Sequence, residues 1–234
     1  MDGSGTPNEF AGGVVRSRAG ATKLRRRPRL RGVSHQIAAF ASLPAAGALL
    51  LRAKSATGTT GAAVYGATLV LLFSVSAVYH RMYWPLSIRR VIGRIDHAAI
   101  FLLIAGTYTP FGLLLGPGLG HRLLAMVWIG AIAGILVVVW LTGTPKPVRA
   151  SLYVLLGWFV VPVIPAIRTG IGDHALALLM IGGAFYTVGA AIYAVRRPDP
   201  IPEVFGFHEV FHLLVIAAAI CHFLVVDAAI QAMR

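Results

Sequence analysis

Hydrophobic and polar positions divide this chain into long apolar runs separated by short polar connections. Seven runs, 33–51, 62–79, 98–115, 123–141, 152–167, 175–195 and 210–230, approach or reach the length that crosses a bilayer core. Each predicts a helix, and the short connections between them make consecutive helices antiparallel neighbours. The fifth run is the shortest and contains Pro162 and Pro165, which predict a kink because each removes a backbone donor. No second domain and no internal repeat is visible. The expected fold is an all-α integral membrane protein, a seven-transmembrane helix bundle.

Composition supports the same class. Of 234 residues 57% are hydrophobic and 12% charged, and that charged share is about half that of a soluble domain. The net charge of +13 would suggest a nucleic-acid partner in a soluble protein. In a membrane protein it is the lysine and arginine that set orientation, so the expected partners are membrane lipids and no nucleic acid. The single cysteine, Cys221, lies inside an apolar run, which excludes a disulfide framework and a CxxC metal site. Residues 1–30, rich in Gly, Ser, Thr and Arg, hold too few apolar residues for a core and are expected to be a disordered basic tail before a membrane domain over 31–234. The long basic stretch over 16–31, the length of the run that follows and the lack of a small-residue cleavage site argue for an uncleaved first span.

With seven spans, sixteen lysines and arginines fall on one side of the membrane and five on the other. The rich side includes the N-terminal tail, Arg81, Arg89, Arg90, Arg94, Lys146, Arg149, Arg196 and Arg197. The positive-inside rule therefore predicts a cytoplasmic N-terminus and an external C-terminus.

Candidate chemistry follows from that sidedness. The stretch Phe-His-Glu-Val-Phe-His over 207–212 places His208 and His212 four residues apart, on one face of a helix. Ser76 and His80 repeat the spacing at the end of the second span, and Asp96 opens the third. All are predicted at the cytoplasmic ends of their helices, with Ser76 one turn deeper than His80. Ionisable groups at the membrane edge usually mark function, and imidazoles with a carboxylate or water match a tetrahedral zinc site with one open position. The competing reading is a set of half-wet interfacial histidines, which suits His121 and His174 in the opposite connections. His35 and His97 are left open by the pattern. His222, ten residues beyond His212, is expected to pack on a neighbouring helix.

Three further features have two readings or a bland one. His208-Glu209-Val210-Phe211-His212 matches H-E-x-x-H, in which Glu209 would be a general base; otherwise Glu209 faces the basic rim near Arg196 and Arg197. Thr107, Tyr108, Thr109 and Pro110 either line the bundle interior or satisfy backbone freed by the proline. Asp227 is expected to be a solvated carboxylate near the end of the last span.

Ser-Ala-Val-Tyr-His over 76–80, Arg-Ile-Asp-His-Ala-Ala-Ile-Phe-Leu-Leu-Ile-Ala-Gly-Thr-Tyr-Thr-Pro-Phe over 94–111 and Gly-Phe-His-Glu-Val-Phe-His-Leu-Leu-Val over 206–215, in this order, resemble the hemolysin III family of bacterial membrane proteins. That family is related to the progestin and adipoQ receptors and to the alkaline ceramidase superfamily. The resemblance covers about 31–227 and implies a seven-helix bundle, a multi-pass protein of the bacterial inner membrane. It also implies a zinc ion held by His80, His208 and His212, with Asp96 and Ser76 placed around the water at the metal. The activity it implies is a zinc-dependent hydrolase for a lipid amide or ester. Pore-forming cytolysis with a structural zinc is the alternative, and receptor-like signalling the third.

Overall fold

The computed structural model describes residues 28–141 and 143–233, together with two short strands in the preceding segment. These strands, β1 (Val14–Val15) and β2 (Lys23–Leu24), pair antiparallel with Val14 opposite Leu24. The rest of the expected tail before Pro28 lies outside the described residues.

The remainder is helical. In order come α1 (Val33–Arg52), α2 (Ala56–Arg81), α3 (Leu86–Leu115), α4 (Leu119–Trp140), α5 (Lys146–Gly157), a 3-10 stretch (Trp158–Val163), α6 (Ile164–Val195) and α7 (Phe207–Ala232). Six segments are long and apolar enough to cross a membrane, because α5, the 3-10 stretch and α6 join into one unit of 50 residues, Lys146–Val195. Hydropathy marks only the parts of the helices that are apolar. Ser55 accepts the Gly58 N–H and starts α2 six residues before the predicted run, and α3 begins with a polar stretch containing Arg89, Arg90 and Arg94.

The expected kink at the prolines falls elsewhere. Pro165 lies in the first turn of α6, where a missing donor removes no helical bond, and Pro162 lies in the 3-10 stretch. The break is at Gly172, whose φ of 80° and ψ of 171° suit glycine. Trp158 Nε1–H donates to Thr187 Oγ1 at 3.0 Å, although in one straight helix these residues would be about 43 Å apart. The two limbs therefore lie side by side, folded back at Gly172.

α1 packs on α2 and α7, α2 on α3, α3 on α4, and α6 on α7; α3 also touches α7 and α5. Small residues allow these approaches: Gly106 faces Thr68, and Gly134 faces the Phe101 ring. The core includes Tyr65, Phe101, Phe111 and Val226, while Phe40, Ile129 and Trp140 point outward. In a bilayer such outward apolar side chains meet lipid tails, so both surfaces of a helix can be apolar.

At the end of the bundle away from the histidines, Arg52 Nη1 meets Asp227 Oδ2 at 2.8 Å, and Gln231 Nε2 donates to the same oxygen at 2.7 Å. Asp227 is thus buried and paired, not solvated as expected. α7 continues past it to Ala232 and turns this position towards α1.

Candidate metal centre

The site is built where the start of α1, the end of α2, the first third of α3 and the start of α7 meet. The chain enters α1 through a strap: Arg29 N–H donates to Glu203 O and Leu30 N–H to Val204 O, at 3.0 and 3.1 Å. Gly32 then takes a φ of 78°, and a Cβ there would stand 2.6 Å from His80 Cβ. Both facts demand glycine at this position.

The start of α7 is held by two carboxylates. Asp199 Oδ1 accepts the Phe207 N–H at 3.0 Å, and Glu209 Oε2 accepts the Gly206 N–H at 2.8 Å. Glu209 also pairs with Arg31 Nε at 2.7 Å through its other oxygen. Glu209 is buried and does not face a rim at Arg196 and Arg197. Its contacts are those of a helix cap and a clamp on the strap.

Fixed in this way, α7 presents His208 and His212 towards His80. His208 Nε2 and His80 Nε2 are 3.1 Å apart. The three imidazoles each offer a ligand atom within 4.8 Å of the others, so the triad can hold a metal ion. Asp96 Oδ2 stands 3.8 Å from His80 Nε2. His80, His212, Asp96 and Ser76 are buried, and His212 Nδ1 is a buried nitrogen with no hydrogen-bond partner among the described residues. Ser76 and Asp96 line the same cavity beside the triad.

His35, left open by the sequence, belongs to this cluster. Its Nδ1 shares a 2.8 Å hydrogen bond with Ser76 Oγ, and its ring stacks on His212. The signal available was depth: residue 35 opens α1 at the level where α2 ends. His97 turns to the wall, donating from Nδ1 to Gly93 O and accepting the Tyr193 hydroxyl at 3.2 Å. His222 Nε2–H donates to Leu179 O at 3.2 Å, the packing on a neighbouring helix that its spacing predicts. His121 and His174 are exposed.

A cavity of about 690 Å³ opens beside the triad and runs into the bundle. His35, Ser76, His80, Asp96, His208 and His212 line its head, Thr107 and Tyr108 its middle and His222 its depth. This places the Thr107 to Pro110 turn at the interior. Thr107 and Thr109 donate to the carbonyls of Leu103 and Ala105, and the Tyr108 hydroxyl donates to Gly157 O at 2.7 Å, where α5 ends.

A family profile described as "Haemolysin-III related" matches residues 24–223. Hemolysin-3 of Bacillus cereus is 33% identical over 192 residues, 80% of this chain and 84% of that protein. A hemolysin-3 homolog of Bacillus subtilis (strain 168) is 30% identical over 197 residues, 82% of this chain and 88% of its own length. The adiponectin receptor protein of Drosophila melanogaster is 31% identical over 184 residues, 70% of this chain and 40% of the receptor. A buried triad on α2 and α7, a bundle of apolar helices and a match over most of the length agree: the chain is a multi-pass membrane protein and belongs to the haemolysin III family.

Proposed function

We propose that this protein is a zinc-dependent hydrolase of a lipid amide or ester, working within the bacterial inner membrane. The observation that carries the reading is the convergence of His80, His208, His212 and Asp96 at the head of a large cavity inside an apolar bundle. Three imidazoles and no thiolate suit zinc. At a zinc–nitrogen distance of about 2.0–2.1 Å, tetrahedral ligand atoms are about 3.3 Å apart, close to the 3.1 Å between His80 and His208. Bound zinc supplies Lewis acidity that polarises a carbonyl and activates water at neutral pH.

The chain's own groups supply the remainder. Asp96 is the proton acceptor beside the triad, and Ser76, oriented by His35, holds water or substrate by hydrogen bonding. The apolar cavity binds the lipid tail and limits bulk water. The fold-back at Gly172 supports counting the Lys146–Val195 unit as two crossings, giving seven spans with the N-terminus cytoplasmic by the charge distribution.

The test is metal analysis of purified protein followed by incubation with a mixture of lipid amides and esters, reading fatty-acid release with and without chelator. Chelator-sensitive release is expected. A second reading, membrane lysis, comes from the name of the Bacillus cereus relative. Chelator-insensitive dye release from liposomes, with no lipid turnover, would favour it instead.

A further inference from the structure

The cavity lining changes character along its length. From His208 to His222, both on its wall, α7 advances fourteen residues, about 21 Å. A single acyl chain occupies about half of the roughly 30 Å hydrocarbon core, so that depth accommodates one chain and its head. The volume of about 690 Å³ also falls in the range of sites that enclose one small amphiphile.

The cavity lining includes the cations Arg31, Lys146, Arg149 and Arg196 and the carboxylates Asp96 and Asp199. Lys146 and Arg149 are three residues apart on α5 and so on neighbouring positions of one face. Lys146 Nζ stands 4.8 Å from the Tyr193 ring centre and 5.1 Å from that of Phe207. Both rings adjoin His208, with centroids 6.0 and 6.1 Å away, so the ammonium is one aromatic ring removed from the triad. Arg149 Nε is buried and has no hydrogen-bond partner among the described residues. A buried guanidinium donor beside an open cavity needs an acceptor, and the position suits one carried by a ligand.

We propose that Lys146 and Arg149 form a headgroup site for a single-chain lipid bearing a phosphate monoester. A phosphate monoester carries a charge of about −1.5 to −2 at pH 7, which matches two cations. Arginine binds two phosphate oxygens with its planar fork, and lysine adds a point charge. The inference deepens the hydrolase reading and rests on it for the bond that breaks. With the head at Lys146 and Arg149, the acyl ester or amide a few bonds away falls at the histidines. Hydrolysis adds water across the acyl carbon–heteroatom bond, giving a fatty carboxylic acid and the phosphate-bearing alcohol or amine.

The experiment measures binding of isotope-labelled hexadecyl phosphate, which has no acyl bond, to the full-length protein in neutral detergent. Hexadecylphosphocholine, hexadecanol and hexadecanoate serve as competitors of matched chain length. Hexadecyl phosphate should bind at least about tenfold more tightly than each, the effect of one strong charged contact. The double variant Lys146→Gln with Arg149→Gln should lose that advantage yet still bind hexadecanol, which reports an intact cavity. Lys146→Arg should keep the advantage. Equal competition by phosphocholine or carboxylate, or an undiminished preference in the double variant, overturns the proposal. Measuring preference and lipid turnover separately in the unaltered protein distinguishes the two readings. Preference without turnover counts against the hydrolase alone, and turnover without preference counts against the headgroup site alone.

Discussion

The ring of His35 lies flat on the ring of His212, with centroids 3.7 Å apart and planes 8° from parallel. His35 also hydrogen-bonds Ser76 and meets the Phe73 ring edge-on, so one side chain of α1 braces α7 and α2 together behind the triad. Groups that orient metal ligands in this way typically carry 10–100-fold in metal affinity. His35→Ala should therefore weaken zinc binding by about that factor while helical content is kept. Competition against a chromophoric chelator measures it, and unchanged affinity would remove the bracing role.

Purified protein should contain about one zinc per chain. Alanine at His80, His208 or His212 should lower that content and the thermal stability together, because a bound metal stabilises the fold that presents its ligands. His121→Ala and His174→Ala, at exposed positions, should change neither. Full zinc retention in His80→Ala would eliminate the ligand that comes from α2.

How much of this was readable from the chain depended on the kind of relationship. His80, His208 and His212 could be grouped because i, i+4 spacing and the side of the membrane are both one-dimensional properties. The stacking of His35 on His212 could not, since it requires α1 to close against α7 in space. Asp227 was misread for a related reason: whether a residue near a helix end meets solvent or Arg52 depends on rotation of α7 about its axis. The break at Gly172 hid inside a polar connection where glycine is ordinary, while Pro162 and Pro165 drew attention to positions that accommodate proline.

Topology can be tested at that break. In a Cys221→Ala background, a cysteine replacing Asp173 should react with a membrane-impermeant maleimide added to intact cells. One replacing Thr144 should react only after permeabilisation. Both positions are at turns with exposed or half-exposed side chains. Labelling of both from the same side would mean that Lys146–Val195 does not cross twice.

The Arg31 and Glu209 pair should be a stability element. With Glu209 almost fully buried, removal of Arg31 leaves the Glu209 carboxylate without its counter-charge at a cost of about 3 kcal/mol. Glu209→Ala should lower the Tm markedly, and the double variant Arg31→Met with Glu209→Met should lose less than the sum of its single changes. A coupling energy near zero in that cycle would remove the ion pair as a clamp on the strap.

The last question is which carboxylate handles the proton, because Asp96 and Glu209 both lie near the triad and imply different chemistry. Glu209 occupies the base position of H-E-x-x-H, but one of its oxygens caps the Gly206 N–H and the other meets Arg31. To accept a proton from water it would have to give up contacts that hold the start of α7. Asp96 comes from α3, 3.8 Å from His80, and it lines the cavity together with Ser76. A positioned general base is worth about a hundred- to ten-thousandfold in rate. Asp96→Asn keeps the shape and loses the base, so turnover should fall by a factor in that range with zinc content unchanged. Glu209→Gln still offers an oxygen to the Gly206 N–H but loses the charge facing Arg31, so its main effect should be on Tm. The two variants are compared by zinc content, Tm and turnover of any lipid the wild type hydrolyses. An inactive, folded, zinc-loaded Glu209→Gln beside a fully active Asp96→Asn would reverse the assignment and make the α7 motif a protease-like base.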